Sequence, residues 1–528
     1  MYLNKLFGGL IMAKLKDIYF GDANGDTESK DPMFKNLFYK GNNKLELLLS
    51  DQNKFIVSGQ KGTGKTILGR YIELVTKEEG NSCKILRKNN ILLQKLIDLD
   101  RDELQDNQYE FFFMWFIYRE ISKILINNKE VNKIVREKNI LKKIISVYKY
   151  KNARRKLKKF FDIRYEEKNN YESLSFKTSS QLSGEASGTT TSMVNKFKSI
   201  FTVDREHVLK PFYKVISPVE ELIIKCLKYS PITIILDDLD EIDSLNGLDK
   251  HACQVVIQLI EAIKNVNEVI ANNNIKKSKV ILLIRSDILN VINKHSSNLA
   301  KLLDDSEVNL YWIDKHPQPE KHMLMQMILH KIKVSNSEFS NMDYSSIYET
   351  LFPQKIDNKN MVNYLLDYSF GRPRDIINYL NIIKESYGDE SRITATMFSN
   401  CKSHYSRRFK KELYNELHIH TSVNYADQIL GLLKDFGKRT FLYDDIEFYY
   451  EGHKDLYPDI KNLKECINTL YIFGVIGNSV KNPQYNRRKN NAKYLYSWGY
   501  RDDGEDLPNF DKSFTVHFGL RKALSLNG

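Results

Sequence analysis

Cysteine is scarce in this sequence, and what there is does not form a pattern. The five cysteines are widely scattered along the chain: Cys83, Cys226, Cys253, Cys401 and Cys466. An odd and scattered set indicates neither a disulfide framework nor a CxxC metal knuckle. We therefore expect a protein of the reducing cytoplasm.

Long hydrophobic runs are also absent. The most apolar run is FFFMWFIY at 111–118, far short of the roughly 20 residues that cross a bilayer, so we expect a buried helix and no membrane partner. The amino terminus, MYLNKLFGGLIMAKL, has no small-residue cleavage site and does not indicate a secretory signal. His418 and His420 occur without an HExxH pattern or a cysteine partner, so they predict no metal site.

The composition indicates a folded protein of several domains. A chain of 528 residues is too long for one compact core. Its hydrophobic fraction of 42%, its charged fraction of 28% and its mere 11 prolines argue against wholesale disorder. The net charge of +13 favours a polyanionic partner, and a nucleotide, a nucleic acid or an anionic membrane would each fit it.

The segment KFIVSGQKGTGKTILGRYIEL, which starts at Lys54, contains the pattern G-x-x-x-x-G-K-T. Residues 55–58 are typical of a buried strand, and residues 67–74 of the helix that follows. Glycines let successive backbone N–H groups point inward around a phosphate at a helix N-terminus. A plain glycine-rich turn would not need the Lys-Thr pair, so the pattern predicts a phosphate-binding loop.

This loop assigns roles to single residues. Lys65 adds positive charge next to the β- and γ-phosphates, and Thr66 can ligate Mg²⁺. The predicted cofactors are therefore ATP and Mg²⁺. The predicted nucleotide-binding residues are Gly59, Gln60, Lys61, Gly62, Thr63, Gly64, Lys65 and Thr66.

A phosphate loop needs a carboxylate on its metal side, normally at the end of a neighbouring parallel strand. The run PITIILDD supplies it, because apolar residues 232–236 fit a strand buried on both faces. Asp237 is the candidate for the Mg²⁺ shell through water, and Asp238 is the candidate that orients or deprotonates the attacking water. Three further carboxylates fit better as solvated residues of the following loop and helix start: Asp240, Glu241 and Asp243.

Arginines at two places could sense the nucleotide. Arg285 follows the apolar run 280–284, and a cation at a strand end can stabilise transferred charge. An ion pair with a nearby acid explains Arg285 equally well. In GRPRDII, Pro373 suits the first turn of a helix and places Arg374 in that turn. Taken alone, Arg372 and Arg374 also fit an exposed, charged helix start.

In combination these motifs resemble the AAA+ and STAND group of P-loop ATPases. The acidic strand has the form hhhhDD, in which h is an apolar residue. This form, together with Arg285 at a strand end, is more similar to STAND proteins than to AAA+ unfoldases, which usually carry Asp-Glu in place of the two aspartates. GRPRDII resembles a sensor 2 motif, which implies that Arg374 rather than Arg372 reaches the γ-phosphate from a helical lid. Asp238 replaces the usual glutamate, and its shorter side chain must still reach the water.

From about residue 17 to the end, the layout is similar to a family of bacterial P-loop ATPases related to origin-recognition-type initiators. The stretches that carry this similarity are IYFGDANGDTESKD, GQKGTGKT, RSDIL and VHFGLRKAL. It implies an α/β fold: a P-loop NTPase (AAA+/STAND-like) with a parallel sheet core, a helical insertion, a helical lid and a C-terminal winged-helix domain.

The expected domain boundaries follow from this layout. The chain between Lys65 and Asp237 is long for a single crossover, which predicts an insertion in the core. A helical part of it, KNILKKIISVYKYKNARRKLKKFF from Lys138, is strongly basic. It could contact nucleic acid or an acidic partner, although a solvated helix face explains it better. The expected parts are a lead-in at 1–50, the ATPase core at 51–315 with the insertion at about 101–215, the lid at 316–417 and the winged helix at 418–528.

The winged helix is expected from the order of elements after Tyr425, which is three helices followed by strands. Its third helix, with Lys461 and Lys464 near its start, would enter a major groove, and NPQYNRRKNNAK would be a basic wing. Winged helices also dock proteins, and Glu465 lies on the same helix. Double-stranded DNA and a protein therefore remain equal alternatives for this domain.

The leading hypothesis is an ATP-driven conformational switch that hydrolyses ATP slowly and acts on a separately encoded protein effector. The resemblance makes a role in bacterial antiphage defence or DNA transactions reasonable, and a homo-oligomer is compatible with it. One alternative is an ATP-gated DNA-binding initiator or regulator. Another is a scaffold that binds ATP without hydrolysing it.

Overall fold

The structure is a computed structural model of the 528-residue chain. It describes residues 13–87, 106–128, 138–160, 212–237, 250–293, 295–314, 316–485, 493–501 and 507–526. A β-hairpin or loop predicted for 171–193 lies outside the described residues. Within them, no helix is long and apolar enough to cross a membrane. All five cysteines are buried, and none forms a disulfide.

Helices dominate the described chain. The α-helices are α1 Gly25–Glu28, α2 Phe34–Leu37, α3 Lys44–Ser50, α4 Lys65–Glu78, α5 Asp106–Asn127, α6 Ile140–Phe160, α7 Phe212–Leu227, α8 Lys250–Asn272, α9 Ser286–Asn293, α10 Ser297–Ser306, α11 Met323–Ser335, α12 Tyr344–Leu351, α13 Met361–Tyr368, α14 Pro373–Ser386, α15 Ala395–His420, α16 Val423–Phe436, α17 Tyr443–Gly452 and α18 Leu463–Ile472. Each of these helices belongs to one of the two compact units described below.

The strands form three sheets. They are β1 Ile56–Gly59, β2 Ser82–Leu86, β3 Ile232–Leu236, β4 Lys279–Arg285, β5 Glu307–Asn309, β6 Lys355–Ile356, β7 Lys359–Asn360, β8 Thr440–Phe441, β9 Ile476–Lys481, β10 Tyr494–Ser497 and β11 Ser513–Val516. The chain divides into two compact units. The sheet unit comprises 43–61 and 65–310; the helical unit comprises the residues up to 42, the three residues 62–64 and everything from 311 onward.

The sheet unit is built on a five-stranded parallel sheet in the order β2-β3-β4-β1-β5. Strands β1, β3 and β4 are buried along their whole length, as expected for apolar strands covered on both faces. The acidic strand β3 is separated from β1 by β4. All three strands nevertheless end at the same edge of the sheet, since they run parallel.

Helices cover this sheet. The apolar run at 111–118 lies in α5, where Phe113 and Ile117 are fully buried, so the prediction of a buried helix is confirmed. Helix α5 packs against α7 and α8. The described parts of the segment predicted as an insertion lie mainly in helices: α5, α6 and the start of α7.

The helical unit has one hydrophobic core that draws on distant parts of the chain. Leu15, Ile18 and Phe20 from the lead-in lie in the same core cluster as helices α11 to α15. Met325 and Met327 are buried in this core, and Met323 packs against it. A mixed α/β fold with a parallel sheet and a helical C-terminal part is therefore established.

The C-terminal region has the three helices followed by strands that the sequence predicts, and it has two strands, β8 and β9, that the sequence did not predict. Helices α16, α17 and α18 precede the strands of a sheet in the order β10-β9-β11-β8, and the short strand β8 lies between α16 and α17. Local signals set the helix ends. Ser422 caps α16 through the N–H of Tyr425, Gly437 ends that helix at φ +77°, and Asn462 caps α18.

Candidate functional site

The loop Gly59–Thr66 joins a strand to a helix as the sequence predicts. In the sheet unit, β1 ends at Gly59 and α4 begins at Lys65. The Nζ atom of Lys65 donates to the carbonyl oxygens of Gly59 and Gln60 at 2.8 and 3.0 Å. Thr66 follows in the first turn of α4 and is half-buried. The ammonium group is therefore held over the start of the loop.

Arg285 lies beside this loop within the sheet. It ends β4 and is paired in register with Gly59 of β1. Its side chain is only 2% exposed, and Nε donates to Oδ1 of Asp287 at 2.9 Å, with a second contact from the guanidinium to the same carboxylate. The ion pair weighed as an alternative for Arg285 is thus present, and a sensing role stays a prediction.

Asp237 directly follows β3 and is 2% exposed. Its backbone N–H donates to the carbonyl oxygen of Leu86 at 2.9 Å, which fixes the chain at the strand end. Four further carboxylates named from the sequence lie outside the described residues: Asp238, Asp240, Glu241 and Asp243. Among the side chains that are described, no group of three or more His, Cys, Asp or Glu could hold a metal ion.

The tip of the loop, residues 62–64, belongs to the helical unit. Gly62 and Gly64 have φ angles of +89° and +100°. Residues other than glycine rarely adopt this backbone conformation. Nε1 of the buried Trp312 donates to the carbonyl oxygen of Thr63 at 2.8 Å. No sequence pattern singled out Trp312 as a functional residue. It follows the end of β5 closely in the chain, and the carboxyl ends of the parallel strands, including that of β1 where the loop begins, lie at one edge of the sheet.

Arg374 contacts the same tip. It lies in the first turn of α14, which begins at Pro373 as predicted. Its backbone N–H donates to the carbonyl oxygen of Gly62 at 3.3 Å. Nε donates to the carbonyl oxygen of Ala23 at 3.1 Å, and Nη1 lies 3.6 Å from a carboxylate oxygen of Glu412. The side chain is 26% exposed, so solvent and ligands can reach it.

Arg372 has the opposite environment. It is buried, and its guanidinium donates to both carboxylate oxygens of Asp375 at 3.0 and 3.1 Å and to Glu416 at 2.7 Å. Burial opposes its charge, but Asp375 and Glu416 raise the pKa of Arg372 above its ordinary value. A guanidinium with three such bonds serves the packing of α14 against α15.

The turn before α14 also contacts the C-terminal sheet. The ring centre of Phe370 lies 5.0 Å from that of His517, which follows β11 and is fully buried. Nδ1 of His517 accepts from the N–H of Gly519 at 3.1 Å, and Nε2 lies 3.2 Å from the hydroxyl of Tyr500. Burial, reinforced by nearby arginines, lowers the pKa of His517 well below its ordinary value.

The residues predicted to contact DNA are only partly described. Lys461 and Lys464 are exposed near the start of α18. Nζ of Lys464 lies 5.8 Å from the ring centre of Tyr443 and 5.9 Å from that of Phe510. The basic wing residues Arg487 and Arg488 lie outside the described residues.

One comparison with known proteins bears on this site. A family model described as a FunZ-associated C-terminal helical domain matches residues 322–414. The matched stretch runs from the start of α11 into α15 and contains Arg372 and Arg374. No curated protein matches the chain. The similarity therefore concerns the helical stretch that the sequence predicts as a lid, and it does not extend over the parallel sheet.

Proposed function

We propose that this protein is a P-loop ATPase of the AAA+/STAND-like kind that works as an ATP-driven conformational switch. The observation that carries the proposal is the loop Gly59–Thr66. It leaves a buried parallel strand, passes through two glycines at positive φ and starts helix α4 at Lys65. This arrangement lets backbone N–H groups converge on a phosphate at a helix N-terminus.

The chain's residues fit Mg²⁺-ATP. Gly62 and Gly64 give the backbone of the loop the conformations that a phosphate cradle needs, and Lys65 would exchange its carbonyl partners for phosphate oxygens. Bound Mg²⁺ would neutralise phosphate charge, held by Thr66 and, through water, by Asp237. Asp238 is assigned to orient the attacking water.

Switching is assigned to the helical unit. The backbone of Arg374 is bonded to the loop tip, and its partly exposed guanidinium is available to a γ-phosphate. Arg372 in the same turn is locked to Asp375 and Glu416. A displacement of the loop tip would therefore move the start of α14 and strain a buried ion-pair network. Arg285 is a secondary sensor candidate, because it must first part from Asp287.

The test is Mg²⁺-dependent ATP hydrolysis and ATP binding by the full chain. We expect Lys65→Ala to lose ATP binding and Asp238→Asn to keep binding while losing turnover. Lys77→Ala is the matched control, because Lys77 lies on the same helix and pairs on the surface with Glu73 at 2.7 Å. No ATP binding by the native protein would overturn the proposal.

Other outcomes separate the alternatives. Tight ATP binding without turnover under any condition would identify a scaffold that holds ATP. Binding of duplex DNA that requires ATP and weakens steeply with salt would identify a DNA-binding initiator or regulator. A role in antiphage defence with a separately encoded effector rests on the sequence resemblance alone, and loss of protection in cells carrying Lys65→Ala would support it.

A further inference from the structure

An open groove lies beside helix α17 in the C-terminal region. Its volume is about 630 Å³. The apolar part of its lining consists of Phe436, Leu442, Phe448 and Tyr449. Phe448 is 86% exposed and Leu442 is 51% exposed. Large apolar side chains that cluster on a surface in this way mark a binding site rather than a solvated helix face.

The rim of the groove is acidic. Asp444, Asp445 and Glu451 line it, and Lys438 pairs with Asp445 at 2.9 Å. Residues 443–456 contain five carboxylates and a single lysine. Negative charge at this density repels a phosphate backbone and favours a basic partner. The occupant should therefore combine apolar anchors with positive charge.

Helix α6 of the sheet unit has those two properties. Leu141, Ile144, Ile145 and Tyr148 are 72%, 60%, 53% and 70% exposed. Their spacing is i, i+3, i+4 and i+7, which is the anchor pattern of a helix that lies in a groove. The sequence of α6 contains nine lysines and arginines and no acidic residue.

We propose that the groove beside α17 of one molecule binds helix α6 of a second copy of this chain. The anchors of α6 would pack on Phe448 and Leu442, and exposed lysines of the helix such as Lys142 and Lys149 would face the carboxylates of the rim. The two surfaces differ, so the contact is head-to-tail, and an open assembly keeps one free groove at one end and one free α6 helix at the other. This proposal does not rest on nucleotide binding.

The test measures self-association of the full chain by sedimentation velocity over a range of concentrations. The native protein is expected to form dimers and larger species that dissociate as salt rises, since salt screens the charge pairing. Phe448→Asp and Ile144→Asp should each weaken association by about tenfold or more. Val423→Asp is the control, because Val423 is 56% exposed in the same region but does not line the groove.

Mixing the two variants gives the decisive result. The Phe448→Asp protein keeps an intact α6, and the Ile144→Asp protein keeps an intact groove. A mixture can therefore form a single native contact, and we expect a 1:1 complex that grows no further. Circular dichroism of each variant checks that it is folded. A native protein that stays monomeric, or a mixture of folded variants that does not associate, would overturn the proposal.

Discussion

The backbone N–H of Arg374 donates to the carbonyl oxygen of Gly62 at 3.3 Å. Two motifs that are far apart in the sequence, the glycine-rich loop and the start of helix α14, thus meet through a main-chain hydrogen bond. A main-chain bond holds the two segments together whatever the Arg374 side chain contacts. The helix therefore stays fixed to the loop even if the guanidinium leaves Ala23 and Glu412 to bind a ligand.

Replacing Gly62 with alanine should damage the loop. Its φ of +89° strains any side chain, and a Cβ would lie 3.0 Å from the Cβ of Arg374. We expect Gly62→Ala to lower the free energy of unfolding by about 1–3 kcal/mol and to weaken ATP binding. Gly431→Ala is the control, since a Cβ there meets nothing within 4 Å. In a helix that change should stabilise by about 0.5–1 kcal/mol. Urea denaturation and ATP titration of both variants measure these effects, and equal behaviour would contradict the role given to Gly62.

Trp312 should report on the loop. Its Nε1 donates to the carbonyl oxygen of Thr63 at 2.8 Å, so a ligand in the loop would change its surroundings. We expect ATP to change the tryptophan fluorescence of the native protein and not that of Trp312→Phe. Loss of the bond should raise the dissociation constant for ATP about two- to tenfold, for a hydrogen bond worth about 0.5–1.5 kcal/mol. An unchanged fluorescence response in Trp312→Phe would assign the signal to Trp115 or Trp498.

Loss of Arg372 should affect mainly stability, and loss of Arg374 should affect mainly ATP hydrolysis. Removing Arg372 leaves the buried carboxylate of Asp375 without its cationic partner, so we expect Arg372→Ala to cost about 3–5 kcal/mol of stability. Arg374 is 26% exposed and its ion pair with Glu412 spans 3.6 Å, so Arg374→Ala should cost less than about 1 kcal/mol. Only Arg374→Ala should reduce ATP hydrolysis while leaving the unfolding midpoint close to that of the native protein. A folded Arg374→Ala protein with native turnover would exclude its sensing role.

Local sequence signals located much of the sheet. Strands β3 and β4 lie where apolar, β-branched runs predict them, because such residues fit a strand buried on both faces. Strands β2 and β5 were not predicted. Their sequences are short: SCKIL has a lysine at its centre and EVN has a single apolar residue, so neither forms a continuous apolar run. The position of β4 between β3 and β1 was not predicted either, because strand order depends on contacts between segments that are distant in the sequence.

The partners of site residues were harder to predict than the residues themselves. The sequence named Arg285 and left an ion pair and a sensing role equally open, because several acids lie nearby in the chain. Only the fold selects Asp287. Likewise, nothing local links Trp312 to Thr63, or Arg372 to Glu416. These pairs form when separate elements pack together, and an alternating or helical pattern carries no information on which pair will meet.

The last prediction concerns pH and His517. Burial, Arg501, Arg521 and Arg372 all lower the pKa of His517 well below its ordinary value, while the unfolded chain keeps a histidine pKa of about 6.5. As the pH falls below about 6.5, His517 therefore binds a proton in the unfolded chain but stays neutral in the folded protein. As the pH falls, this group alone should lower the free energy of unfolding by up to about 1.4 kcal/mol per pH unit. Above about pH 6.5 its contribution to stability should be fully present.

A variant isolates this contribution. His322 and His330 also have a lowered pKa, chiefly through burial, so the native protein should lose stability in acid for more than one reason. His517→Gln keeps a polar side chain beside Tyr500 and removes the titrating group. Urea denaturation between pH 7 and 5 should give a shallower pH dependence for His517→Gln than for the native protein. Parallel curves would mean that His517 is protonated equally in the folded and unfolded states, which the N–H of Gly519 pointing at Nδ1 argues against.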